Sequence, residues 1–134
     1  MTPFLLTVVS PDGMEFEGQV EQLIVRTTSG DMGILAGHAN IVAPLGMGQA
    51  TIIADGNKRY AACIGGMLSV VNGKVNLVPT TFEWADEIDA DRAEASYQRA
   101  WKTLNDKTSS DTDIVLAKAR LRRALVRKGV ASIK

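Results

Sequence analysis

Backbone breakers are confined almost entirely to the first eighty residues of this chain. All four prolines fall at or before Pro79, and eleven of the twelve glycines fall at or before Gly73, leaving only Gly129 beyond. Proline removes a backbone donor and glycine adds conformational freedom, so both interrupt long helices and mark turns. The first part must therefore be built from short elements joined by turns, whereas the second can run as uninterrupted helix. The change falls near Trp84 to Asp86, which divides the chain into residues 1–85 and 86–134.

The first part reads as short strands. Phe4 to Ser10 is apolar and β-branched and is followed by the turn residues Pro11-Asp12-Gly13. A second strand is expected over Val20 to Thr28, with a tight reversal at Ser29-Gly30-Asp31-Met32-Gly33. Gly48 to Ala54 and Lys58 to Ile64 flank Asp55-Gly56-Asn57, a strong hairpin signal. Met67 to Val71 and Lys74 to Val78 flank Asn72-Gly73 in the same way. Several short strands at this spacing predict a sandwich or flattened barrel.

Beyond the boundary the apolar period changes from two to about 3.6. Ala93, Tyr97, Ala100, Trp101 and Leu104 make one helical stripe, and Ile114, Ala117, Leu121, Ala124 and Leu125 make another. Asn105 to Ser110 is polar and suits the loop between them. Ser110 with Asp113 resembles a capping box, and Gly129 is a plausible stop. Two alanine-rich stripes joined by a short loop predict an antiparallel helical hairpin. A buried methyl-sized group contributes only about 0.8 kcal/mol, so such a hairpin is held weakly and can move.

Composition narrows the function classes. At 46% hydrophobic and 22% charged residues the chain is globular, with no net charge. The charge is uneven, however: Lys118, Arg120, Arg122, Arg123, Arg127, Lys128 and Lys134 follow one another with no acidic residue between. That run suits an acidic partner or a phosphate. Cys63, the sole cysteine, lies between Ala62 and Ile64 and reads as a buried, inert thiol in a reducing compartment. The mostly apolar stretch Ala61 to Val71 is broken by Gly65-Gly66 and is far shorter than the ~20 residues of a membrane span. A cytoplasmic, soluble chain without a signal peptide is expected.

No catalytic constellation stands out. His38 is the only histidine; with one distant cysteine it gives no metal ligand set, a Ser-His-Asp triad would need partners near it, and a structural or interface role in its loop is expected. Gly30-Asp31-Met32-Gly33 lacks the lysine and helix start of a phosphate loop. The pairs Glu15/Glu17 and Asp86/Glu87 are ordinary surface carboxylates. Asp89, Arg92, Ser96 and Arg99 share an arc of about 80° beside the first helical stripe. Two readings fit that arc: an acidic helix start followed by solvated arginines, or an anion site, with Arg122 arriving from the flank of the second helix. Two further readings stand beside these, a β-sandwich ligand module and a nucleic-acid binder acting through the basic helix. The sandwich half shows no aromatic sugar-binding pattern.

Several segments, taken in order, carry a resemblance. They are Pro11-Asp12-Gly13 with Phe16-Glu17-Gly18, Gly30-Asp31-Met32-Gly33-Ile34-Leu35-Ala36-Gly37-His38-Ala39, Leu45-Gly46-Met47-Gly48, Gly65-Gly66-Met67-Leu68-Ser69-Val70, and Ile88-Asp89 with Arg92-Ala93. Together they are similar to the epsilon subunits of bacterial F-type ATP synthases, with Ala36 where that family usually has proline. The resemblance implies a mainly β plus α fold: an N-terminal ten-stranded β-sandwich that binds gamma and the c-ring, and a C-terminal antiparallel α-helical hairpin that regulates. It implies a non-catalytic rotor subunit of the central stalk, coupling rotation to ATP synthesis and inhibiting ATP hydrolysis when the hairpin extends.

The partners implied are the gamma subunit, the c-ring and, in the extended state, the catalytic beta and alpha subunits. Nucleic acid is not among them, and membrane contact runs only through the complex, on the cytoplasmic side of the bacterial cell membrane. The resemblance also implies ATP, with or without Mg, as a regulatory ligand and no prosthetic group. ATP would lie against Glu83, Ile88, Asp89, Arg92, Ala93, Arg99 and Arg122. The inhibitory contact would use Arg120, Arg122, Arg123 and Arg127, and His38 would lie at a subunit interface. Val126 stands where nucleotide-binding relatives can offer a further arginine.

Overall fold

The structure is a computed structural model describing residues 2–133, and it divides into two compact units between Trp84 and Ala85. The first unit is a β-sandwich of eight strands among the described residues. These are β1 (Phe4–Ser10), β2 (Gly13–Val20), β3 (Gln22–Thr27), β4 (Gly30–Ile34), β5 (Ile41–Pro44), β6 (Met47–Ala54), β7 (Asn57–Val71) and β8 (Lys74–Trp84). They run in the order β2-β1-β8-β7-β6-β3-β4, with β5 also paired to β7. Neighbours are antiparallel except β1 and β8, which run parallel.

Alternation decides which residues enter the core. Phe4, Leu6, Val8 and Ser10 of β1 are buried while Leu5 and Val9 are exposed, as a period of two requires. In β7 the core-facing residues are Ala61 and Cys63, then Leu68 and Val70; in β8 they are Val75 and Leu77, then Phe82 and Trp84. Both strands thus exchange their inward and outward faces midway, at Gly65-Gly66 and Thr80-Thr81. Gly65 and Gly66 take left-handed φ values of 69° and 100°, and a Cβ on Gly66 would lie 2.0 Å from the Val78 carbonyl oxygen. Only glycine fits this bend.

Pairing resumes in the same register on both sides of the bend, from Ile64↔Thr81 to Gly66↔Pro79, so each strand crosses it unbroken. Dividing β7 and β8 there would restore the ten strands expected; hydrogen-bond continuity makes them eight. The hairpin turns hold as read, with Asp55 and Gly56 at φ 51° and 76° and Asn72 and Gly73 at 49° and 82°. Positive φ at both central residues matches the right-handed strand twist.

The second unit contains a short 3₁₀ turn (Ala85–Glu87), α1 (Ala90–Asn105) and α2 (Asp111–Ala131). Asp89 caps α1, its carboxylate accepting the Arg92 N–H at 3.1 Å. Ser110 and Asp113 form the reciprocal capping box of α2. Gly129 does not stop the helix, which continues to Ala131 and is capped at Ser132. With helical φ and nothing within 4 Å of its Cβ position, Gly129 is simply one weak residue inside a long helix. Ala93 and Ala100 of α1 and Ala117 and Ala124 of α2 are buried, and the bulkier stripe members Tyr97, Leu104, Ile114 and Leu121 are only half-buried.

Candidate functional site

The start of α1 gathers four of the residues singled out in the sequence. Ile88 is buried and donates its N–H to the Ala85 carbonyl at 3.4 Å, closing the 3₁₀ turn. Asp89 follows as the cap, Arg92 is exposed on the first turn, and Ala93 is fully buried with its N–H on the Asp89 carbonyl at 3.0 Å. The order apolar-acid-x-x-basic-small therefore has a local structural logic: anchor, cap, exposed cation and packing contact. One turn further, Arg99 Nη2 donates to Ser96 Oγ at 3.0 Å, which places the guanidinium along the same flank as Arg92.

Helical geometry sorts the remaining arginines. Arg92 and Arg99 each lie about 100° to one side of the Ala93–Ala100 stripe. Right-handed antiparallel helices present equivalent flanks on the same side. A polar groove of about 310 Å³ lined by Thr103, Asp106, Thr108, Ser109, Asp113, Leu116 and Arg120 marks that side. Arg120, Arg123 and Arg127 fall there too, within about 120° of the Ala117–Ala124 stripe. Arg122 does not: it sits about 140–160° from that stripe, on the exposed outer face of α2. Helical geometry thus puts Arg92, Arg99, Arg120, Arg123 and Arg127 on one flank and Arg122 off it. Glu83 belongs to the first unit, as the penultimate residue of β8 opposite Ala62, and is half-buried.

His38 lies in the turn after β4. Its N–H bonds the Leu35 carbonyl at 3.2 Å, and its ring Nδ1 is 2.8 Å from the Ala39 carbonyl oxygen. Cys63 is 2% exposed, and burial pushes its thiol pKa up to about 12, far from a nucleophile. Among the described residues no group of three or more His, Cys, Asp or Glu could hold a metal ion. No described helix is long and apolar enough to cross a membrane.

Two features were not read from the sequence. On the outer face of the sandwich, Met14, Val9, Val78, Met67 and Pro44 stand beside one another on five consecutive strands, all exposed. Val42 and Val71 add to this apolar face. The double-sided apolarity of Phe4 to Val9 was the available signal, but only the strand register reveals the row. On the hairpin, Lys128 Nζ is ion-paired with Glu94 Oε2 and stands 3.9 Å from the Tyr97 ring centroid. The Lys128 and Gln98 hydrogen bonds hold the Glu94 carboxyl below the usual carboxylate range. Opposite Gly48, a comparable surface pair joins Arg26 Nε to Asp31 at 2.6 Å and lowers the Asp31 pKa.

Comparison with known proteins agrees with this architecture. Residues 3–85 match the family described as "ATP synthase, Delta/Epsilon chain, beta-sandwich domain", and residues 86–131 match "ATP synthase, Delta/Epsilon chain, long alpha-helix domain". The ATP synthase epsilon chain of Ruminococcus albus is 44% identical over 135 residues, covering 100% of both chains. That of Bacillus velezensis is 42% identical over 126 residues, covering 94% of this chain and 95% of the relative. Among solved structures, a chain of the mitochondrial ATP synthase of Euglena gracilis superposes with a TM-score of 0.85 at 21% identity, covering 100% of this chain and 83% of that one. A chain from the central stalk and c-ring of the Tetrahymena thermophila mitochondrial enzyme gives 0.67 at 14% identity, covering 95% of each. Sequence identity along the whole length and the sandwich-plus-hairpin fold lead to one conclusion: the chain belongs to the epsilon-subunit family of bacterial F-type ATP synthases.

Proposed function

We propose that this chain is a non-catalytic rotor subunit of the central stalk, whose sandwich docks on the rotor and whose hairpin restrains ATP hydrolysis. The observation that carries the reading is the contrast between the two outward-facing surfaces. The sandwich displays an apolar row across five strands, suited to a packed, permanent partner, here the gamma subunit, with His38 and its loop toward the c-ring. The hairpin displays arginines, suited to a reversible and acidic one, the catalytic beta and alpha subunits. Attachment is peripheral, on the cytoplasmic side of the bacterial cell membrane, through the complex.

The hairpin interface supports mobility. The buried residues of the two helices are mostly alanines (Ala93, Ala100, Ala117, Ala124 and Ala131, beside Val130), and each alanine methyl contributes about 0.8 kcal/mol, against roughly 1.5–3 kcal/mol for each buried leucine or valine of the sandwich. A ligand that binds only the contracted hairpin then selects it, by about 2.7 kcal/mol at a hundredfold excess over Kd. ATP fits that role through Arg92 and Arg99, two exposed arginines on one flank of α1, with Ile88, Asp89 and Ala93 shaping the helix start and Glu83 orienting the base or the arginines. Arg122, on the outer face of α2, suits the inhibitory contact better than the nucleotide. Mg would enter only as the counterion of the phosphates.

Titrating the isolated chain with ATP while following Trp101 fluorescence tests the ligand. A saturable change that is lost in Arg92→Ala is expected; no change, or an equal change in that variant, refutes ATP binding at this flank. Assembling the synthase with a chain lacking residues 86–134 tests the restraint: hydrolysis should rise while assembly persists.

A further inference from the structure

At the open end of the hairpin, where Val130 and Ala131 of α2 are buried, one side chain reaches across to α1 with two contacts. The other end is covalently joined through the loop at residues 106–110 and tied by the Ser109 hydroxyl, which donates to the Thr103 carbonyl at 2.8 Å. Far from that loop, Glu94 lies on the second turn of α1 and Lys128 one turn from the end of α2. Both Glu94 oxygens are used: Oε1 accepts from Gln98 Nε2 at 2.9 Å, and Oε2 takes the Lys128 ammonium. The same ammonium lies over the Tyr97 ring at 3.9 Å, and Tyr97 meets Trp101 edge-to-face with centroids 6.3 Å apart. Glu94 is thereby positioned from its own helix, and the ring from its own helix, so that only Lys128 has to cross.

We infer that Lys128 is a positioning residue that clasps α2 to α1 through Glu94 and Tyr97 and sets how readily the hairpin opens. An exposed ion pair alone contributes little, and so does an exposed cation–π contact. Here the two converge on one ammonium near the open end, across an interface whose fully buried residues are mostly alanines. A small energy there moves a two-state equilibrium whose states lie close together. The inference rests on the mobile-hairpin reading above, and its test separates the two.

Spin labels placed by Asp91→Cys and Gly129→Cys report the distance between the open ends in the full chain; a Cβ at Gly129 meets nothing within 4 Å, and Cys63 is buried and stays unlabelled. Lys128→Gln should raise the long-distance population roughly five- to tenfold, with helical ellipticity retained. Tyr97→Phe, which keeps the ring face, should match the parent, whereas Tyr97→Leu should shift toward Lys128→Gln. An unchanged distribution in Lys128→Gln, or equal behaviour of the Phe and Leu variants, overturns the clasp. Ala124→Glu, which puts a charge into the packed stripe, is the control. If it opens the hairpin and Lys128→Gln does not, the clasp fails and mobility stands; if neither opens it, both readings fail.

Discussion

The two halves of this chain bury their interiors with different residues, and they should differ in stability for that reason. The sandwich core is made of Leu6, Leu23, Ile34, Ile52, Leu68 and Leu77, all essentially inaccessible, packed with Phe82 and Trp84. The interface between α1 and α2 centres on alanines. Apolar area removed from water scales the driving force, so the first unit is expected to be the more rigid and the second the less stable.

Cutting into the sandwich should produce the largest effect. Leu68→Ala should lower unfolding free energy by about 2–5 kcal/mol in a urea titration, because a rigid core cannot collapse onto the void. If the loss is below about 1 kcal/mol, the sandwich is not the rigid half. Removing a local support of the hairpin should cost less. Ser110→Ala deletes the capping-box acceptor and should destabilise α2 by about 1 kcal/mol, seen as lost ellipticity at 222 nm and not as a shift of the sandwich transition.

Acid should act more weakly still, and on the hairpin first. The folded-state pKa of Glu94 is depressed by Lys128 and Gln98. Its contribution is therefore complete above the unfolded-state value of about 4.3 and is lost as pH falls through the lower folded one. Spin-label distances should broaden over that window in the parent and stay flat in Glu94→Gln. The smallest effect expected is none: a chain ending at Trp84 should keep the sandwich transition of the full chain. A sandwich that unfolds on truncation would show that the two regions depend on each other and would undo the contrast.

The change of grammar near Trp84 was legible because glycine and proline act locally, through φ and the missing donor. So were both type I′ turns, the capping box and both helices. Three strands were not. β2 (Gly13–Val20) carries Glu15, Glu17 and Gln19 and has only one fully buried residue, so its strand character comes from pairing with β1. β5 (Ile41–Pro44) is too short to show a period and exists by pairing with β7. The reversal expected over Ser29 to Gly33 is mostly strand β4, since its hydrogen bonds are made to β3. In the candidate site, Asp89, Arg92 and Arg99 were visible as an arc, because one helix obeys one period. Arg122, on the second helix, is exposed, and the helical period sets it about 140–160° from the buried alanines.

The sequence by itself determined the division of the chain, the turns, the helix caps and the poverty of the helical stripes, since each depends on neighbours a few residues apart. Tertiary structure alone decided that β7 and β8 pass unbroken through Gly65-Gly66. It aligned Met14, Val9, Val78, Met67 and Pro44 into one row, and it brought Lys128 against Glu94 and Tyr97. Each of these needs groups far apart in the chain to meet, and register and helix crossing are set by the packing of the whole, not by any local preference.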